Sequence, residues 1–135
     1  MAQSSSRTGG QVHPELIAQN DSVAVPAGGN TVVLELSTLG LERIAAEFTN
    51  AGFALDAFII QAKFHPGGDY RTIYSTAGAF TSPAGLLVAA SGDLTVLADA
   101  ATGWFILDVT GIYAIRVQAS ANGGQTALSA KAMGS

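Results

Sequence analysis

The chain has 135 residues, no cysteine, 16 glycines, 12% charged and 48% hydrophobic residues, and a formal charge of −4. A domain of that length buries about two-thirds of the surface its unfolded chain exposes, and the missing cysteines exclude disulfides, thiolate metal sites and cysteine nucleophiles. Six basic residues against ten acidic ones leave no basis for a nucleic-acid surface, which needs clustered Lys and Arg.

Residues 1–10 have linker composition, rich in Ser and Gly, and lack the apolar run of a signal peptide. They imply a flexible N-terminal arm over residues 1–12, followed by a single domain over residues 13–135. The longest apolar run, residues 86–90, is far short of the ~20 residues of a membrane helix, so no membrane partner is expected. Positive mean hydropathy argues for a packed chain.

Strand signals then follow one another along the chain. Residues 21–25 form a short candidate strand ending at Pro26-Ala27-Gly28-Gly29, which has turn composition. Residues 31–36 are β-branched and half alternating, so Gly28-Gly29-Asn30 suits a hairpin or a corner between sheets. Over residues 41–49 helical and period-two spacing compete. The shortness of the stretch and Gly40 favour a strand.

In residues 55–64, Phe58, Ile60, Ala62 and Phe64 share one face with Asp56, and Gln61 and Lys63 take the other. His65-Pro66-Gly67-Gly68-Asp69 then turns the chain into residues 70–75, a hairpin. Residues 78–92 suggest a loop with one irregular strand, residues 94–98 a further strand, and residues 99–103 a turn. Phe105, Leu107 and Val109 face one way in the next strand. The cleanest alternation puts Tyr113, Ile115, Val117 and Ala119 inward and Arg116, Gln118 and Ser120 outward. After Asn122-Gly123-Gly124, the last strand sets Leu128, Ala130 and Ala132 opposite Ala127, Ser129 and Lys131. Eight or nine short strands between glycine turns predict an all-β fold, an antiparallel β-sandwich with the jelly roll as candidate topology.

Catalytic chemistry finds little footing. The two histidines, His13 and His65, have no partner at i+4, and no Ser sits in a Gly-x-Ser-x-Gly elbow. His65 and Asp69 flank a turn that Pro-Gly-Gly already explains. The carboxylates Asp56, Asp69, Asp93, Asp99 and Asp108 show no calcium-loop spacing, and solvation or local backbone bonding accounts for Asp93 and Asp99. The glycine pairs 9–10, 28–29, 67–68 and 123–124 lack the flanking Lys-Ser or Lys-Thr of a phosphate loop and read as turns. No catalytic, cofactor or metal residue is therefore assigned. Trp104, Tyr70 and Tyr74 could stack on sugar faces, although packing between sheets or at a subunit seam serves aromatics equally well.

Charge is thin for the surface of such a domain. Apolar residues on outward parities (Ala57, Ile59, Ala114, Ala127) point to association with other chains, as an oligomer or a larger assembly.

Residues 102–120, in which a strand ending Asp108-Val109-Thr110-Gly111 precedes an alternating strand carrying Arg116-Val117, resemble a pattern of tailed-bacteriophage virion proteins. Residues 54–70, from Ala54-Leu55-Asp56 through His65-Pro66-Gly67-Gly68-Asp69-Tyr70, are similar to small phage structural proteins. The resemblance implies a non-enzymatic decoration or cement protein on the virion capsid surface, without cofactor. As a homo-oligomer (dimer or trimer), it would cover joints between subunits of the major capsid protein. A tail-associated, receptor-binding module contacting host glycan through Trp104, Tyr70 and Tyr74 is the alternative, and a small hydrolase with two converging carboxylates is the third reading. For a clamp with an arm, removing residues 1–10 weakens attachment to shells and leaves the domain folded. Binding of the truncated chain to undecorated shells, read beside its circular dichroism, checks this, and undiminished affinity would exclude the clamp.

Overall fold

The computed structural model describes residues 15–75, 87–91 and 97–135. The expected arm and most of the expected strand over 94–98 lie outside these residues, and Leu97 and Ala98 are irregular. The described residues form nine strands: β1 (Glu15–Val25), β2 (Thr31–Ser37), β3 (Arg43–Gly52), β4 (Leu55–Lys63), β5 (Arg71–Ser75), β6 (Leu87–Ala90), β7 (Thr102–Asp108), β8 (Ala114–Ala121) and β9 (Thr126–Gly134). Among the described residues there is no helix. They make an antiparallel β-sandwich of a five-stranded sheet, β1-β9-β3-β7-β6, and a four-stranded sheet, β2-β8-β4-β5.

The pairing is nested. β4 pairs with β5, β3 with β7, β2 with β8 and β1 with β9, as though one long hairpin had been folded over itself. Each successive pair lies in the other sheet, so the Gly28-Gly29-Asn30 stretch is a corner between sheets and not a hairpin. Gly28 sits there at φ 79°, a conformation that a side chain disfavours.

Residues 43–52 settle as strand because Ile44, Ala46, Phe48 and Asn50 are all buried at period two. β3 lies between β9 and β7, and its inward face meets the four-stranded sheet. There Phe48 and Phe105 stack at 5.8 Å, and Phe58 from the opposite sheet meets Phe48 edge-on at 4.9 Å. All three rings are fully buried. Burial of such rings and their edge-to-face contact supply much of the cohesion between the layers.

Several expectations are corrected by β-bulges, which insert one residue and reverse the parity beyond it. β1 begins six residues before the expected start, at Glu15. Register shifts at Leu16/Ala18 and Asn20/Val23 break the alternation that would have revealed it. In β4 a shift at Leu55/Ala57 leaves Asp56 exposed while Leu55, Ala57 and Phe58 are buried. Ala57 is therefore interior; Ala114, at the start of β8, is buried as well, and Ile59 and Ala127 are half-buried, so these four do not form the apolar surface. Phe64, placed inward by parity, is past the end of β4 and exposed. Ser120, placed outward, is buried and donates a hydrogen bond to Asp56 Oδ1. Tyr113 precedes β8 and is half-buried. Thr102 and Gly103, expected in a turn, already belong to β7.

Bulges also free backbone groups, and side chains take them up. The Val33 carbonyl, at the β2 bulge, accepts from Asn20 Nδ2 of β1 at 2.9 Å, joining the two sheets along one seam. Ser22, at φ 52°, donates its backbone N–H to Ser129 Oγ at 3.1 Å.

One polar side chain pins each end of the sandwich. At one end Thr38 is buried, donates through its hydroxyl to the Ile112 carbonyl and through its N–H to the Tyr113 carbonyl at 3.0 Å. At the other, Asn50 is fully buried. Its Nδ2 reaches the carbonyls of Phe53 (2.8 Å) and Leu97 (3.1 Å), and its Oδ1 accepts from Thr126 Oγ1 at 2.7 Å. Asn50→Leu keeps a similar volume but strands the buried Thr126 hydroxyl and the Phe53 carbonyl, while the Leu97 carbonyl keeps the Leu55 N–H at 2.9 Å. It is expected to destabilise the fold by about 3 kcal/mol in urea unfolding, whereas an exposed neighbour change, Thr49→Ala, costs under about 1 kcal/mol.

Candidate interaction surface

The two outer faces of the sandwich differ sharply in chemistry. On the four-stranded sheet the register sets Glu35, Arg116, Gln61 and Thr72 side by side across β2, β8, β4 and β5. Arg116 Nε donates to Gln61 Oε1 at 2.6 Å, and Gln61 Nε2 donates to Thr72 Oγ1 at 3.3 Å.

Tyr70 roofs this row. The β4–β5 turn delivers it, its ring lies 4.2 Å from the Arg116 guanidinium, and its hydroxyl donates to Glu35 Oε2 at 2.9 Å. Lys63 Nζ stands 5.4 Å from the same ring. The aromatic face thus holds two cations, and the hydroxyl answers the one carboxylate in the group.

The five-stranded sheet carries an apolar row between charged ones. Pairing aligns Leu16, Met133, Ala45 and Ile106 in one row across β1, β9, β3 and β7, and the row reaches β6 at Ala89. Leu16 is 53% exposed and Met133 37%. The next row runs Gln19, Lys131, Glu47, Trp104, with Trp104 40% exposed. Ala45, Ile106 and Met133 of the first row and Glu47, Trp104 and Lys131 of the second line an open depression of about 410 Å³. On the other side of the apolar row, Arg43 pairs with Asp108. The backbone N–H of Thr110, at 3.0 Å, holds the Asp108 carboxyl below its usual range, and the Thr110 hydroxyl and Arg43 act in the same direction.

A second apolar surface closes the Thr38 end. Leu39 (65% exposed) and Phe64 (49%) flank a groove of about 410 Å³ floored by Ile112 and edged by His65 and Pro66.

The residues singled out from sequence fall apart in space. Trp104 is on the outer face of the five-stranded sheet and Tyr70 on that of the four-stranded sheet, with the sandwich, ~10 Å between sheets, separating them. Tyr74 is half-buried against the core. Trp104 and Tyr70 share no sugar platform, because the outer faces of two packed sheets point away from each other.

His65 is accounted for by its turn. Gly68 N donates to the His65 carbonyl at 3.0 Å, and a Cβ at Gly68 would meet the imidazole at 3.0 Å. Among the described residues no three His, Asp or Glu side chains gather as metal ligands. Asp56 is taken by Ser120, and Asp99, expected to be solvated, accepts from Gly52 N at 2.9 Å. Asp93 and Gly9-Gly10 lie outside the described residues. The pairs 28–29, 67–68 and 123–124 are in connections between strands, and Phe53 lies over Gly124 so closely that a Cβ there would come within 2.4 Å of its ring.

The fold is shared with a prophage protein. The crystal structure of SPBc2 prophage-derived protein YomS matches 91% of this chain over 96% of its own, with a TM-score of 0.52 and 8% identity. At that identity the likeness is one of fold. No family model and no curated protein matches the sequence.

The latch at Tyr70 has a pH signature. Burial first, then the hydrogen bond to Glu35 and that carboxylate's charge, push its hydroxyl from 10 up to about 12 against the opposing Arg116. The folded-state value lies above the unfolded one, so the contribution to stability is complete below pH 10 and is lost as pH rises from 10 to about 12. Tyr70→Phe is expected to lower stability modestly near pH 8 and to flatten the decline between those two values, measured by urea unfolding at each pH. An unchanged alkaline slope would remove Tyr70 as its source.

Proposed function

We propose that this chain is a non-enzymatic structural protein of a bacteriophage particle, and within the particle a decoration or cement protein that spans joints between subunits of the major capsid protein. The observation that carries the reading is the presence of two separate exposed apolar surfaces on one small sandwich. One is the outer face of the five-stranded sheet and the other is the Leu39–Phe64 end. A chain with two such surfaces can hold two neighbours at once, which is what covering a joint requires.

Two further features support it. We read the nested order, β1-β9-β3-β7 against β2-β8-β4-β5 with β6 added at an edge, as a jelly roll, an architecture used widely in viral capsids. A prophage-derived protein shares the fold over nearly its whole length. The mechanism is mechanical: each joint covered adds buried interface that must be broken before the shell opens, so the bound chain shifts the balance toward the closed shell.

Immunogold labelling of purified phage particles, with antibody raised against the recombinant chain, tests the placement. Gold over heads is expected, together with shells that open at lower temperature when the chain is omitted. Gold at tail tips, or on no particle, would overturn the capsid placement.

A further inference from the structure

We propose that the outer face of the five-stranded sheet is the contact between two copies of this chain. The two are related by a two-fold axis running along the apolar row Leu16–Met133–Ala45–Ile106. It draws on one of the two surfaces that the capsid reading uses: a second copy of the chain is then the neighbour on this face, and each copy of the pair keeps its Leu39–Phe64 end for a capsid subunit.

The apolar row supplies adhesion. It crosses four strands without a charged residue, and Trp104 and Val88 extend it on the β7–β6 side. Five strands spaced ~4.8 Å apart and a ten-residue central strand rising ~3.4 Å per residue give a face on the order of 600–800 Å². Stable interfaces bury roughly 800 Å² per partner, so the face is of sufficient size when its whole extent is used.

The charges choose the partner and its orientation. On β3 the outward side chains run Arg43, Ala45, Glu47, with opposite charges two residues either side of the apolar row. An axis along the row, passing at Ala45, reverses the strand in the second copy. Arg43 of each copy then stands over Glu47 of the other, so the pair forms twice. An axis parallel to β3 would set Glu47 against Glu47 and repel. A self-complementary pattern of this kind is what an isologous contact needs. It also leaves the Leu39–Phe64 end free, because that groove is lined by different residues.

Charge exchange tests the arrangement in the full chain. Analytical ultracentrifugation should find a dimer for the natural sequence. Arg43→Glu and Glu47→Arg each place like charges across the contact and should raise the dimer dissociation constant by roughly tenfold or more. The double variant restores opposite charges across the axis and should return the constant to near its starting value. Both positions are exposed, and circular dichroism with thermal unfolding confirms that each variant is folded. Should one single variant fail to fold, Ala45→Glu replaces it, since it sets like charges on the axis itself. A natural chain that stays monomeric up to about 100 μM would overturn the proposal. So would folded single variants that dimerise normally, or a folded double variant that does not recover, the latter because the loss would then come from neighbours within one copy, Asp108 and Lys131.

Discussion

The sandwich depends on the meeting of Phe48, Phe58 and Phe105 between its layers. Two of these rings come from adjacent strands of one sheet, and the third rises from the other sheet to meet Phe48 edge-on. Loss of one ring would leave a cavity that neighbours cannot fill, at about 3–5 kcal/mol for a change to Ala. The rest of the core is aliphatic, with Leu34, Ile44, Ile60, Leu107, Ile115 and Leu128 fully buried around it. Because that centre forbids a one-residue slip of β3, β4 or β7, it also determines which side chains reach the outside.

Nested pairing has a consequence at the margins. Most connections must leave one sheet and enter the other, so the ends of the sandwich are made of irregular chain whose carbonyls need donors. Asn50 and Thr38 supply them from inside, one at each end. Along the β1–β2 seam, Asn20 does the same for a carbonyl that a bulge releases. These polar groups are worth their burial because every partner is satisfied, and each would be costly if left alone.

The contrast between the two faces is where structure leads to function. On one sheet a tyrosine, two cations, a carboxylate and an amide contact one another. On the other, an apolar row is flanked on β3 by Arg43 on one side and Glu47 on the other. Sugar recognition by the three aromatics would require them to converge, and the sheets keep Trp104 and Tyr70 apart.

The all-β class, the turns at the glycine pairs 28–29, 67–68 and 123–124, and the inward sets of β7 and β9 were determined by sequence alone. Period-two burial and glycine-rich turns are local properties, readable within a few residues. The hairpin over residues 55–75 was legible for the same reason. Bulges were not: one inserted residue at Asp56 exchanges inside for outside, and nothing in the neighbouring side chains announces it. The ambiguity over residues 41–49 was resolved only by burial between β9 and β7. The apolar row was the least legible feature, since Leu16, Ala45, Ile106 and Met133 come from four strands far apart in sequence. Only long-range register brings them into one row, and register is set by how the two layers pack around the three phenylalanines.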